Sequence, residues 1–269
     1  PRLVAPSRWM KALAERHLPG HEVRVIPNGV PFPESPAALP DKAEARKSFG
    51  IDPSASVALL AAHGAEAAQY KGGHLWARLR EKVRARLPGV LWVVAGGESL
   101  AVEQGLLRLP YLPREQLSLL MRAADLFVYP SLADNHPLVI LEAMAAALPT
   151  LTFPVGGILE QITDQATGFF APCGDMRAME ERAVALLAAP GRLARTGQEA
   201  FRHGQARLRA WCEIMRPSTH SRVQGMTQPV ATVIIDSILN DDTKDNGIAP
   251  QRRMGGGDRA HSAYRMNRS

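Results

Sequence analysis

The chain has 269 residues, 46% hydrophobic and 22% charged, with a formal net charge of +6 at pH 7. That balance suits a globular chain with one sizeable core and excludes a fibre or a wholly disordered polymer. No run approaches the roughly 18 apolar residues of a membrane helix, and two cysteines, Cys173 and Cys212, supply neither a disulfide framework nor a metal-ligand spacing.

Both cysteines read as reduced and structural, and no metal site or cofactor is expected. Pro1-Arg-Leu-Val-Ala-Pro-Ser7 resembles neither a signal peptide nor a natural start, which predicts a cytoplasmic chain truncated at its N-terminus. Ser7–Leu18 reads as a helix, Val23–Ile26 as a short strand and Pro27–Pro40 as a proline-rich hinge or linker. From Val57 onward short apolar runs alternate with helical patterns, the mark of βα units around a parallel sheet. The predicted strands are Val57–Ala62, Val90–Ala95, Leu126–Tyr129 and Thr150–Phe153. Between and after them come predicted helices at Leu75–Leu87, Pro113–Ala124, Pro137–Ala147 and Asp175–Ala188. Pro113 suits a first helical turn because its absent N–H would lack a partner there, and Asp175 suits a cap. Right-handed crossovers then put helices on both faces of a Rossmann-like sheet, with ligands at the carboxyl ends of the strands. The basic residues Arg78, Arg80, Lys82, Arg84 and Arg86 alternate with apolar positions rather than stacking aromatics, so they read as a solvated helix face and no nucleic-acid partner is expected. Beyond Pro217 periodicity fails, and the polar, Gly- and Arg-rich composition predicts a disordered tail over 217–269, with Ala231–Leu239 as its one apolar stretch.

The segment Ser131-Leu-Ala-Asp134-Asn135-His136-Pro137-Leu138-Val139-Ile-Leu-Glu142 runs from a strand end through a loop into a helix. A helix N-terminus presents unpaired N–H groups and partial positive charge, so the amides of residues 136–139 suit a diphosphate. Asp134 and Glu142, about two turns apart, suit sugar or ribose hydroxyls; spacing alone favours the plainer reading of a helix cap and a partly exposed helical acid. Lys71 at a predicted helix start is either a phosphate ligand or a solvated cation. Gly96-Gly97 and Gly156-Gly157 are either close-approach loops or plain turns.

Taken in order, several stretches resemble the retaining glycosyltransferases of family four. They are Val25-Ile-Pro-Asn-Gly29-Val, Ala45-Arg46 through Gly50-Ile51, Lys71-Gly72, Val94-Ala-Gly96-Gly97 and Ala124-Asp125-Leu-Phe-Val-Tyr-Pro130-Ser131. The paired-acid segment from Asp134 to Glu142 with Ala-Met-Ala, then Val155-Gly156-Gly157-Ile158-Leu-Glu160 and Thr167-Gly168-Phe, complete the set. The resemblance covers most of residues 1–188. It implies the GT-B arrangement of two facing Rossmann-like domains, with 1–25 as the remnant of an acceptor-binding N-terminal domain and 26–216 as the donor-binding domain with its C-terminal helix.

The resemblance further implies a hexosyltransferase-like enzyme in glycan biosynthesis. A nucleotide-diphosphate sugar would be substrate, a glycan or lipid-linked molecule the acceptor, and the absent domain would leave room for contact with the inner face of the membrane. Carried over position by position, Lys71 takes the diphosphate, Asp134 the donor-sugar hydroxyls and Glu142 the ribose, while Asn135, His136, Pro137, Leu138, Val139, Gly96, Gly97, Gly156 and Gly157 line the donor. The rivals are a non-catalytic nucleotide-binding module, an inactive fragment, or a sugar-nucleotide epimerase of similar fold, against which the Asp134-to-Glu142 motif argues. Four departures stand out. Asp134 replaces the commoner glutamate, Tyr70 precedes Lys71, no arginine lies in 64–69, and Ala147 occupies the usual place of a helix-ending glycine, at a cost of about 1 kcal/mol if left-handed.

Overall fold

In the computed structural model, which describes residues 2–214, the first residues form a parallel pair, β1 (Arg2–Ala5) and β2 (Glu22–Val25), joined by α1 (Arg8–His17). Ser7 Oγ accepts the Met10 N–H at 3.0 Å, which satisfies one of the donors exposed at the start of α1. The predicted linker holds a 3-10 turn, Pro36–Ala38, and is followed by a short helix, α2 (Lys42–Lys47), capped by Asp41. Buried Arg46 on α2 pairs with Asp125 at 2.8 Å and Lys42 pairs with the same carboxylate at 2.6 Å. The linker is itself tied down, its Pro33 and Glu34 carbonyls accepting from Gln205 Nε2 at 3.0 and 2.8 Å.

Seven strands form the main sheet: β3 (Ser56–Ala61), β4 (Val90–Gly97), β5 (Ala101–Glu103), β6 (Leu106–Pro110), β7 (Leu126–Tyr129), β8 (Thr150–Thr152) and β9 (Phe169–Phe170). Their order is β5-β6-β4-β3-β7-β8-β9, parallel throughout except for β5 against β6. The helices are α3 (Trp76–Arg86), α4 (Arg114–Ala123), α5 (Leu138–Ala145), α6 (Met176–Leu187) and α7 (Pro190–Ile214). The central strands β3, β4 and β7 carry continuous apolar runs because both of their faces are covered. Val57, Leu59, Phe127 and Tyr129 enter one core with Leu120, Ile140 and Met144, whereas Ala58, Leu60, Leu126 and Val128 enter the other with Trp76, Leu79 and Met179.

The four strands and four helices read from the apolar pattern are present within two residues of their expected ends, and α7 follows them. The structure adds α2, β5, β6 and β9. Cys173 and Cys212 are free and exposed, so neither is the structural side chain expected of it. The predicted tail over 217–269 lies outside the described residues. Among these, no helix is long and apolar enough to cross a membrane.

β3 has β4 on one side and β7 on the other, so the chain's direction of sheet growth reverses between them. In open parallel sheets such a reversal leaves a crevice at the carboxyl ends of the strands.

Candidate active site

A cleft of about 660 Å³ lies there, walled by the ends of β3, β4 and β7, by the first turn of α5 and by the Asn28–Val30 segment. Lys71, Gly96, Asp134, Asn135, His136, Pro137, Leu138, Val139 and Glu142 all line it. Residues separated by up to 114 positions, Asn28 and Glu142, are thus brought to one surface.

Lys71 ends a short 3-10 turn, Gln69–Lys71, and Gly72 follows with φ +72°. A Cβ on Gly72 would collide with the Pro130 carbonyl, so this glycine lets the Lys71 loop lie directly on the end of β7. The Tyr70 carbonyl accepts the Leu132 N–H at 3.0 Å and the Ser131 hydroxyl at 3.1 Å, which fixes Lys71 against the acidic loop. Its ammonium pairs with Asp134 Oδ2 and stands 5.8 Å from the centre of the Tyr129 ring. The Tyr129 hydroxyl donates to the same Oδ2 at 2.8 Å. Asp134 does not cap α5: the position before that helix is Pro137, with no side-chain cap bond.

The loop from Asp134 to Pro137 is held from several sides. Asn28 Nδ2 donates to the His136 carbonyl at 3.0 Å, Gln161 Nε2 donates to the Pro137 carbonyl at 3.1 Å, and the Gly157 N–H donates to the Asp134 carbonyl at 3.0 Å. Gly156 and Gly157 do not line the cleft. They back this loop, where a Cβ on either would strike the carbonyl oxygens of Asp134 or Asn135. Gly97 also stands outside the cleft lining, its carbonyl accepting the Tyr111 N–H at 3.0 Å. His136 is buried, and burial followed by the charge of Arg207 lowers its pKa to about 4, so the imidazole is neutral.

At the other end of the cleft Glu142 projects from α5, with Arg114 of α4 at 4.0 Å. Burial raises the Glu142 pKa and Arg114 opposes the shift. Tyr111, largely exposed, packs edge-on against His63 with ring centres 5.8 Å apart on the cleft wall. Asn28, Tyr129, Arg114 and Gln161 were not singled out as site residues by sequence reasoning. Tyr129 carried one usable signal, a polar tip at the carboxyl end of an otherwise apolar strand; Arg114 carried none, because its approach to Glu142 is a property of helix packing. Among the described residues no group of three or more His, Cys, Asp or Glu side chains is placed to hold a metal ion.

The family model described as "Glycosyl transferases group 1" matches residues 65–203, more than half of the chain. The D-inositol 3-phosphate glycosyltransferase of Segniliparus rotundus is 32% identical over 179 residues, covering 61% of this chain and 39% of that protein. The D-inositol 3-phosphate glycosyltransferase of Mycobacteroides abscessus is 34% identical over 148 residues, 49% of this chain and 32% of that protein. The chain thus spans well under half the length of these relatives. Among solved structures, sucrose-phosphate synthase from Thermosynechococcus elongatus superposes with a TM-score of 0.68 at 20% identity, covering 83% of this chain and 58% of that one. Anabaena HepE in complex with UDP-glucose gives 0.62 at 18% identity, covering 79% and 62%. At these identities the structural likeness establishes the fold.

Proposed function

The chain belongs to the group 1 glycosyltransferases, and on that premise we propose that it binds a nucleotide-diphosphate sugar, whose sugar the whole enzyme transfers to an acceptor with retention of configuration. The observation that carries this reading is the meeting of Lys71, Asp134, Glu142 and the start of α5 in one cleft at the sheet's reversal point. The diphosphate lies between the Lys71 ammonium and the α5 N-terminus, Glu142 accepts hydrogen bonds from the ribose and Asp134 from the sugar. As the glycosidic bond breaks, negative charge grows on the departing diphosphate; a preorganised ammonium and helix terminus stabilise that charge without reorganising. An ammonium has three donors, so Lys71 serves phosphate and Asp134 together. No metal ion is required in this scheme. HepE, a protein of like fold, was crystallised with UDP-glucose, which supports the choice of donor class.

Residues 26–216 are the donor-binding unit in this reading, and 1–25 belong to a further domain that takes the acceptor. Holding acceptor against donor in a water-poor site is worth roughly 7–11 kcal/mol of barrier. In this reading 26–216 suffice to bind nucleotide diphosphates, and acceptor-dependent turnover requires the acceptor-binding domain as well. Calorimetry with UDP, GDP and their sugar conjugates, together with nucleotide-release assays over candidate acceptors, tests both halves. Absence of all nucleotide binding would refute the donor site, and acceptor-dependent turnover would refute the division of labour.

A further inference from the structure

Tyr129 closes the strand Leu126-Phe-Val-Tyr129, whose side chains are buried on both faces. It is 1% exposed, its ring stacks on Phe127 at 5.5 Å between centres, and it is packed in the same core as Ile140 and Met144. Such a setting suits a phenylalanine. A phenol here must find a partner for its hydroxyl or leave a buried polar group unsatisfied. Its partner is Asp134 Oδ2, at 2.8 Å and five residues later.

The ammonium of Lys71 falls on that same oxygen. Among the described residues both side-chain contacts of Asp134 therefore converge on Oδ2, and Oδ1 has neither. A carboxylate free to rotate can accept from two adjacent hydroxyls of a sugar, one on each oxygen; one pinned through Oδ2 has a single oxygen to offer. The hydroxyl also accounts for the length of the acid. Glutamate at 134 would carry its carboxylate one methylene further from the backbone, out of register with the Tyr129 hydroxyl that Oδ2 meets at 2.8 Å.

Resting on the donor site proposed above, we propose that Tyr129 is a specificity-determining positioning residue: by fixing Asp134 through Oδ2, it makes the carboxylate read one hydroxyl of the donor sugar through Oδ1. Burial, and then the Asp134 charge, hold the phenol's pKa well above its ordinary value, so it remains a donor at all working pH. The tyrosine at 129 and the aspartate at 134 form a matched pair, and the alternative matched pair is phenylalanine with glutamate.

The test uses the 269-residue chain and calorimetry with UDP, UDP-glucose, UDP-galactose, GDP and GDP-mannose. The reading is the ratio of nucleotide-sugar to bare-nucleotide affinity. In Tyr129→Phe this ratio falls about tenfold and the preference between the glucose and galactose epimers narrows, since one charge-assisted hydrogen bond that fixes the acid has gone. Adding Asp134→Glu to Tyr129→Phe restores most of the ratio, whereas Asp134→Glu alone does not reach the parent's. Uniform weakening of sugar and bare nucleotide, or an unchanged ratio, would overturn the role of Tyr129 while leaving the donor site standing. Failure of the parent chain to bind any of the five probes would overturn the donor site itself, and the sugar-reading role with it.

Discussion

The Glu160 carboxylate accepts the backbone N–H of Trp9 at 3.0 Å across 151 positions of sequence, and its second oxygen accepts that of Arg8 at 3.0 Å. The first turn of α1 is thus capped from the far edge of the main sheet, beside the loop that carries Asp134. The Glu160 carbonyl in turn accepts from the Arg207 guanidinium on α7. Three parts of the chain meet at one glutamate.

Removing that carboxylate leaves two helix-start donors unpaired, and caps of this kind contribute about 1–2 kcal/mol. Glu160→Ala is expected to lower the urea unfolding free energy by about 2 kcal/mol, and Glu160→Gln by less, because the amide keeps one acceptor but loses the charge that favours a helix N-terminus. Hydrogen exchange at the Arg8 and Trp9 amides should accelerate in both variants. Unchanged stability and unchanged exchange would show that α1 is held by its apolar face alone.

The parts of this fold that were legible in the sequence are those where one local pattern has one physical solution. Val57–Ala62 and Leu126–Tyr129 read as strands because an apolar run of that length fits only a strand buried on both faces. β6 escaped notice because Arg108 breaks the apolar run, and that arginine is accommodated by an ion pair with Glu66, a residue 42 positions away. β9 is two residues long and exists only because β8 offers an edge. In the site, Asp134 and Glu142 fall within one nine-residue stretch of sequence and were visible together. Tyr129 was hidden inside its own strand pattern, and the Gly156-Gly157 pair was legible as a close approach, though the backbone it meets is the acidic loop itself. What lay beyond the sequence in each case was the partner.

Glu142 sets binding against stability. Its pKa in the folded chain is raised, chiefly by burial, so the folded state binds a proton more tightly than the unfolded state does. Stability from this group accordingly falls as pH rises from the ordinary glutamate value through the raised one, and at neutral pH the buried charge is a net cost. Glu142→Gln is expected to unfold at higher urea than the parent at pH 7, with the difference shrinking toward pH 4. The same variant should bind nucleotide diphosphates about ten- to a hundredfold more weakly, since hydrogen bonds to a charged group contribute roughly 1.5–3 kcal/mol. Parent-like affinity measured by calorimetry would remove Glu142 from the ribose site.

His136 should make the chain sensitive to mild acid. An unfolded histidine titrates near 6.5, whereas burial and Arg207 lower the folded value to about 4. The unfolded state therefore takes up the proton first, and stability is lost as pH falls from about 6.5 toward 4. Between pH 7 and pH 5 this amounts to about 2 kcal/mol by linkage. Urea unfolding of the parent at the two pH values should carry this loss, and His136→Gln should lose about 2 kcal/mol less over the same interval. An equal loss in parent and variant would assign the acid sensitivity to other groups, such as His203, whose pKa is also lowered by burial.

Ala147 is where the chain carries a strain that a single substitution should relieve. It follows α5 with φ +54°, a left-handed backbone that costs an L-residue roughly 1–2 kcal/mol. The hydrogen bonds show why the conformation persists: the Ala147 N–H donates to the Met144 carbonyl at 3.0 Å and the Leu148 N–H to the Ala143 carbonyl at 2.9 Å, the two bonds of a Schellman ending. Gly197 of α7 packs so closely on the Ala147 carbonyl that a Cβ there would collide with it, and buried Leu148 anchors the other side. The turn cannot relax without unpacking α7. Ala147→Gly is thus expected to stabilise the chain by about 0.5–1 kcal/mol, the relief of strain less the extra freedom glycine gives the unfolded state. Ala146→Gly is the control, because Ala146 has φ −88° and gains nothing from glycine; it should destabilise by about 0.5–1 kcal/mol. Urea midpoints of the two variants at pH 7 should therefore move in opposite directions at unchanged slope. If both fell below the parent, the left-handed site at 147 would not be strained.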